Sequence, residues 1–187
     1  MRKLLSVLTA SSIIYLLILQ ACENPENIKP RVFILNSYHP GYGSSDDIMQ
    51  GIRENLDTAR ADFTIFYMDT KRKPAVEYDS IAHLALQAIQ QYDPDIILAT
   101  DDNAVKYVIE PYFKGKEISV LFAGVNWSAE AYGLPTKNIT GMLEVIPVGT
   151  ALDTLLNYYP QSKNIAIISE KSNSAYKDTI NLQPFFE

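Results

Sequence analysis

The chain has 187 residues, with 16 Lys and Arg against 22 Asp and Glu, and a formal net charge of −6. Its 47% hydrophobic and 20% charged residues are typical of a globular protein with one or two small domains. The acidic balance argues against a nucleic acid partner, because phosphate binding needs a surplus of Lys and Arg. One cysteine excludes an internal disulfide.

The first 21 residues have the pattern of a bacterial lipoprotein signal peptide. Arg2 and Lys3 precede an apolar run over 4–19, which is short for a membrane span. Ala21 and Cys22 follow, as in a lipobox, so we expect the Cys22 thiol to carry diacylglycerol and its freed amine a further acyl chain such as palmitate. The alternative is an uncleaved anchor with an incidental cysteine. The mature protein would have a net charge of −8, and 22–30 would be a tether.

Beyond the tether, apolar runs alternate with segments of helical periodicity. Since nearly continuous apolar strands are buried on both faces, the pattern predicts a doubly wound α/β fold with a parallel sheet. The predicted strands are 31–36, 63–68, 95–99, 118–123, 138–144 and 164–169. The predicted helices are 44–59, 75–92, 103–112 and 148–158. Ser44 and Asp47 resemble a capping box, and Ile81, Leu84, Ala85 and Ala88 are predicted to face the core.

Polar and aromatic residues follow the predicted strands. In open parallel sheets, ligands bind beyond the carboxyl ends of the strands, near the point where the strand order reverses. This rule nominates, in chain order, Ser37, Tyr38 and His39; Asp69, Thr70 and Lys71; Thr100, Asp101, Asp102 and Asn103; and Asn126 with Trp127.

Signatures of cofactor, metal and catalytic sites are missing from the sequence. There is no dinucleotide-binding glycine motif, P-loop, HExxH or GxSxG, and His39 and His83 are the only histidines. We therefore expect no cofactor, no metal and no enzymatic activity.

Several nominated residues have two interpretations. Asp101 and Asp102 can cap the following helix, contact a ligand, or form an acid–base pair, and a free carboxylate there would favour an amine-bearing or amino-acid-like ligand. His39 is either a cleft contact or part of a local turn. Trp127 either stacks on a ligand or packs against its loop. The run from Lys71 to Lys73 is either a solvated loop or an anchor for an anionic group.

Five segments together resemble a known family. They are ILNSYHPGYGSSDDIMQGI from Ile34, YMDTKR from Tyr67, DDNA from Asp101, FAGVNW from Phe122 and NITGMLE from Asn138. In this order and spacing they resemble the ABC-transporter substrate-binding protein family with the type I periplasmic-binding fold. They are particularly similar to its subgroup of sensor regions of histidine kinases and diguanylate cyclases. The resemblance covers 31–174.

The resemblance implies a two-lobed protein that closes on a small-molecule ligand. Lobe one would be 31–141, and 142–187 would hold the hinge and an incomplete second lobe, so we expect the chain to be a fragment or a truncated product. The positions matching the family's cleft are Ser37, Tyr38, His39, Asp69, Thr100, Asp101, Asp102, Asn126 and Trp127.

The function expected from the lipobox and this resemblance is a lipid-anchored extracytoplasmic solute-binding protein in the bacterial cell envelope. It would deliver its ligand to an ABC permease. The alternative is a ligand-binding sensory module of a membrane signalling system.

Overall fold

The computed structural model describes residues 29–169 and 171–185, apart from the side chains of residues 173 and 174. The predicted signal peptide and Cys22 lie outside the described residues, so lipidation stays a prediction. The lobe boundaries also stay predictions.

Five parallel strands form one sheet with the order β2-β1-β3-β4-β5. The strands are β1 (Arg31–Asn36), β2 (Asp62–Tyr67), β3 (Ile96–Thr100), β4 (Ser119–Asn126) and β5 (Ile139–Glu144). The chain leaves β1 in one direction to form β2 and returns to the other side for β3. The predicted doubly wound α/β fold is therefore confirmed, and the strand order reverses between β1 and β3.

Helix α1 (Gly43–Asn55) packs on one face of the sheet. Helices α2 (Tyr78–Tyr92), α3 (Asp101–Ala104) and α4 (Glu110–Phe113) pack on the other face. Helices α5 (Val148–Tyr158) and α6 (Asn173–Leu182) follow β5 in the chain. A π-helical turn, Val105–Ile109, joins α3 to α4. Pro111 lies just beyond this turn and cannot donate a backbone hydrogen bond, which accounts for the local departure from α geometry.

The core lies in two layers because alternate residues of the central strands face opposite sides. Phe33 and Leu35 belong to the larger cluster, under α2 and the α3–α4 segment. Val32 and Ile34 pack with Met49 of α1 in the smaller cluster. The expectation that strands are buried on both faces is confirmed for β1, whereas β5 is exposed along most of its length.

Some local predictions are wrong. Tyr42, not Ser44, is the N-cap of α1, and no side-chain bond caps that helix, so the capping box is absent. Asp46 instead accepts two bonds from the Gly41 N–H, at 2.9 and 3.1 Å. Leu84 is 57% exposed, because the buried stripe of α2 passes through Ala82, Ala85 and Ile89.

The largest difference from the predicted fold is in the C-terminal segment, residues 145–185. Residues 164–169 form no strand, and Ile168 is 97% exposed. An apolar run becomes a strand only with a neighbour to pair with, and the described chain supplies none here. Helix α6 was not predicted. Its N-cap Ser172 accepts a hydrogen bond from the Ala175 N–H at 3.2 Å.

Candidate functional site

A cleft lies between the carboxyl edge of the sheet and the start of the C-terminal helix. Its volume is about 590 Å³, which is within the range of small-molecule sites. One wall comes from the loops after β1 and β2 and from α2, α3 and the π turn. The opposite wall comes from Lys171, Ser172 and Tyr176. The cleft is thus at the edge where the reversal of strand order predicts ligand binding.

Aromatic and basic side chains dominate the lining. The tyrosines are Tyr38, Tyr78, Tyr107 and Tyr176, and the lysines are Lys71, Lys73 and Lys171. The rings of Tyr78 and Tyr107 meet edge to face, with centroids 5.3 Å apart. The Lys71 ammonium lies 5.1 Å from the Tyr38 ring centroid and 5.0 Å from that of Tyr42. These cation–π contacts hold Lys71 at the mouth of the cleft.

The polar floor of the cleft is a hydrogen-bonded network centred on Thr70. The Thr70 hydroxyl donates to the Ser37 carbonyl at 2.8 Å and accepts from the Asn103 amide at 2.9 Å. The Tyr78 hydroxyl donates to the Thr70 carbonyl at 2.6 Å. Because Ser37, Thr70 and Asn103 follow β1, β2 and β3, the network fixes three strand ends relative to one another.

Beside the cleft, the buried carboxylate of Asp102 binds a partly buried ammonium group from the C-terminal helix. Lys177 Nζ donates to Asp102 Oδ1 at 2.5 Å, to the Asn126 carbonyl at 3.0 Å and to the Ser128 carbonyl at 3.1 Å. The same ammonium lies 4.6 Å from the ring centroid of Tyr132, whose hydroxyl donates to Asp102 at 2.7 Å. All three N–H groups of the ammonium are therefore used, which ties α6 to the sheet.

Trp127 makes a second connection to α6. Its indole N–H donates to Asp178 Oδ1 at 2.7 Å. The backbone of Trp127 is left-handed, with φ of 61°. This hydrogen bond joins the end of β4 to the C-terminal helix, and the choice between ligand stacking and loop packing for the Trp127 ring stays open.

Asp101 is buried at the start of α3. Burial raises its pKa to about 7, and the nearby Glu144 and Asp102 carboxylates act in the same direction. Its backbone is left-handed, with φ of 66°. Its Oδ1 would lie 3.2 Å from a Cβ at position 124, so glycine is needed there both for space and for its own φ of 75°.

Three buried polar atoms have no hydrogen-bond partner among the described residues, and all lie at the reversal of strand order. They are Asn36 Nδ2, Thr100 Oγ1 and Asp101 Oδ2. Asn36 and Thr100 face each other in the register of β1 and β3. A buried polar atom without a hydrogen-bond partner lowers the stability of the folded protein, so it calls for a functional role or a buried water molecule that pairs with it.

The nominated residues fall into distinct environments, and their role as ligand contacts stays a prediction. Tyr38 lines the cleft. Ser37 is buried, where its hydroxyl donates to the Thr100 carbonyl and accepts from the Ala104 N–H. His39 has its Nδ1 2.8 Å from the Pro40 carbonyl. Asp69 accepts two bonds from Arg72, which lower its pKa.

The capping interpretation of Asp101 and Asp102 fails in one respect, because no side-chain hydrogen bond caps the helix, whereas both residues do lie in its first turn. The helix predicted from Asn103 begins at Asp101, with Thr100 as an N-cap that makes no side-chain bond. Asp102 directs its carboxylate to Asn126, at 2.7 Å from the side-chain nitrogen, and to Tyr132 and Lys177. Both aspartates lie inside the first turn, where their charge still favours the helix dipole.

Several residues that line the cleft were not nominated from the sequence. Tyr107 is one of them, and it lies four residues after the nominated Asn103 on one helical face, so this spacing was a usable signal. Lys171, Ser172 and Tyr176 come from a segment with no apolar periodicity, and no local pattern indicates that it returns to the sheet.

No group of three or more His, Cys, Asp or Glu side chains that could hold a metal ion is present among residues 29–169 and 171–185. No helix within those ranges has the length and apolar character needed to cross a bilayer.

Solved structures with the same fold come from three bacteria. An ABC domain from Streptococcus pneumoniae, in complex with L-Trp, is 15% identical, with a TM-score of 0.63 over 82% of this chain and 51% of that one. A conserved domain protein from Vibrio cholerae is 16% identical, with a TM-score of 0.63 over 84% and 53%. The ligand-free, open structure of a substrate-binding protein with adhesive properties from Clostridium difficile is 17% identical, with a TM-score of 0.57 over 84% and 53%.

The chain thus spans about half the length of these structures. Its fold is that of a single lobe of a periplasmic binding protein. No protein-family model matches the sequence, and no curated protein matches it.

Proposed function

We propose that this chain is the ligand-binding part of an extracytoplasmic solute-binding protein that captures a small molecule in the cleft. The observation that carries the proposal is the position of the cleft. It lies at the carboxyl edge of a doubly wound sheet and is walled by side chains from both the sheet loops and the C-terminal segment. A ligand that touches both walls stabilises their association, which is how a binding protein closes.

The ion pair of Asp102 and the burial of Asp101 favour binding without catalysis. Asp102 is neutralised by Lys177, and Asp101 is buried outside the lining of the cleft. Two of the similar structures are described as an ABC domain with bound L-Trp and as a substrate-binding protein, which supports a small ligand.

The sequence supports delivery of that ligand to an ABC importer from a lipid anchor. A lipobox that ends at Cys22 would tether the protein outside the cytoplasmic membrane, close to a permease. A second candidate is a sensory module, favoured by the similarity of YMDTKR and FAGVNW to the sensor subgroup. Uptake of radiolabelled ligand by cells with and without the gene separates the two, since loss of uptake supports the importer and unchanged uptake supports the sensor.

A thermal-shift screen against amino acids, nucleosides and small organic acids tests binding. Ligand at 100 times its dissociation constant adds about 2.7 kcal/mol to the free energy of unfolding. Tyr176→Ala removes a cleft wall, and Tyr158→Ala is its matched control, because the two side chains are 69% and 78% exposed. The proposal requires a hit whose stabilisation is lost in Tyr176→Ala and kept in Tyr158→Ala. A screen without hits, or equal losses in both variants, contradicts it.

A further inference from the structure

The C-terminal helix α6 reaches the cleft after a segment without regular structure. Residues 159–169 form neither helix nor strand, and every one of them is exposed. The position of α6 therefore depends on its own contacts with the rest of the protein. Among its described side chains only Ala175 is buried, whereas Tyr176 is 69% exposed and Ile180 is 51% exposed. A region with few buried apolar side chains opens locally, at a free energy below that of global unfolding.

Two adjacent residues of α6 bind residues 126–128, where β4 ends. The Lys177 ammonium donates to two carbonyl oxygens of this segment, at 3.0 and 3.1 Å. The Asp178 carboxylate accepts a hydrogen bond from the Trp127 indole N–H, at 2.7 Å. Because successive side chains of an α-helix project about 100° apart, the two contacts together fix the rotation of α6 about its axis. This rotation also sets the direction of Tyr176, which precedes Lys177 and lines the cleft.

Asp102 makes the contact of Lys177 much stronger than an exposed ion pair. The Asp102 side chain is 2% exposed and accepts from the Lys177 ammonium at 2.5 Å and from the Tyr132 hydroxyl at 2.7 Å. The Tyr132 ring centroid lies 4.6 Å from the same ammonium. Charge-assisted hydrogen bonds are roughly twice as strong as those between neutral groups. The folded sheet therefore presents a preformed site for this one side chain of α6.

We propose that Lys177 and Asp178 are positioning residues, whose contacts with the sheet form a latch that holds Ser172 and Tyr176 across the cleft. The latch releases as a unit, so the cleft loses its second wall while the sheet stays folded. Neither Lys177 nor Asp178 lines the cleft, so each acts on a bound molecule only through the wall that it positions. The inference rests on the proposed function only where it treats the cleft as a binding site, because the latch is made by the chain alone.

Trp127 reports the latch directly, since it is the only tryptophan of the chain and its indole makes one of the two contacts. Tryptophan fluorescence of the full chain compares Lys177→Met and Asp178→Leu with Lys163→Met, an exposed control. We expect the two latch variants to show red-shifted emission and stronger quenching by acrylamide, because release exposes the indole to water. The control should show neither change. Asp178→Asn keeps an acceptor oxygen for the indole, so its emission should match that of the wild-type chain.

Hydrogen–deuterium exchange followed by mass spectrometry separates release of α6 from global unfolding. We expect the amides of α6 to exchange at least about tenfold faster in Lys177→Met than in Lys163→Met, while those of β1 and β3 stay protected. Equal exchange of α6 in the two variants, or loss of its protection only together with β1 and β3, overturns the latch. Unchanged emission in both latch variants overturns it as well. These measurements contain no ligand, so the compound screen decides the proposed function separately.

Discussion

The contact between Lys177 and Asp102 gives the most quantitative test of how the C-terminal helix is held. Lys177→Met keeps most of the side-chain volume and removes the ammonium group. The Asp102 side chain is 2% exposed and that of Lys177 is 16% exposed, so the remaining carboxylate would be buried without its counter-charge. Breaking a buried pair in this way costs about 3–5 kcal/mol.

The remaining contacts of Asp102 place the expected loss at the lower end of this range. Asp102 keeps hydrogen bonds from the Asn126 N–H at 3.1 Å, the Asn126 side chain at 2.7 Å and the Tyr132 hydroxyl at 2.7 Å. We therefore expect Lys177→Met to lower the free energy of unfolding by about 3 kcal/mol.

Urea denaturation followed by circular dichroism measures this loss. Lys137→Met, at an exposed lysine, is the control and should change the free energy of unfolding by less than about 0.5 kcal/mol. The double variant Lys177→Met/Asp102→Asn should be more stable than the sum of the single losses predicts, by about 1–3 kcal/mol. An effect of Lys177→Met as small as that of the control, or strictly additive losses, would refute the account.

Three further predictions follow from other parts of the chain. The pKa of Asp101 is raised from 3.8 to about 7, so the folded state holds a proton that the unfolded state releases. The free energy of unfolding should therefore fall as pH rises from about 4 to 7, by at most about 4 kcal/mol. Urea denaturation at a series of pH values should show that Asp101→Asn removes this pH dependence. A pH dependence that is unchanged in Asp101→Asn rejects the assignment to Asp101. Gly141→Ala places a Cβ in collision with the Phe122 carbonyl oxygen and should lower the free energy of unfolding by about 1–3 kcal/mol in urea denaturation. Cys22→Ser should abolish incorporation of labelled palmitate and release the protein from membranes; retained label contradicts lipidation there.

The central fold was predictable because each strand has a strong local signal. β1 and β3 are short, apolar and bounded by polar turns. Runs of this kind are typical of buried strands, and recognising them does not require knowledge of the helices that cover them. The rule that ligands bind at the carboxyl ends of strands nominated the edge at which the structure has its cleft. Helix α5 has the bounds that its periodicity predicted, 148–158.

The C-terminal segment was not predictable in the same way. The apolar run 164–169 has strand-like composition, but strand formation depends on a partner, which periodicity does not report. The contact of Lys177 with Asp102 joins residues 75 positions apart, and nothing near Lys177 in the sequence indicates it. The sequence also did not predict the directions of adjacent side chains. Asn103 lines the cleft, whereas Asp102 accepts hydrogen bonds from Asn126 and Tyr132.

The most direct test of the central claim is an NMR titration of the isotope-labelled chain with the most strongly stabilising compound from the screen. Binding in the cleft predicts that amide shifts change most at Thr70, Asn103 and Tyr176. A second cavity of about 360 Å³ lies against β2 and α2 and includes Thr64, Phe66 and Tyr92. Shifts confined to that second cavity, with the cleft amides unchanged, would contradict the claim that the carboxyl edge of this sheet is the ligand site.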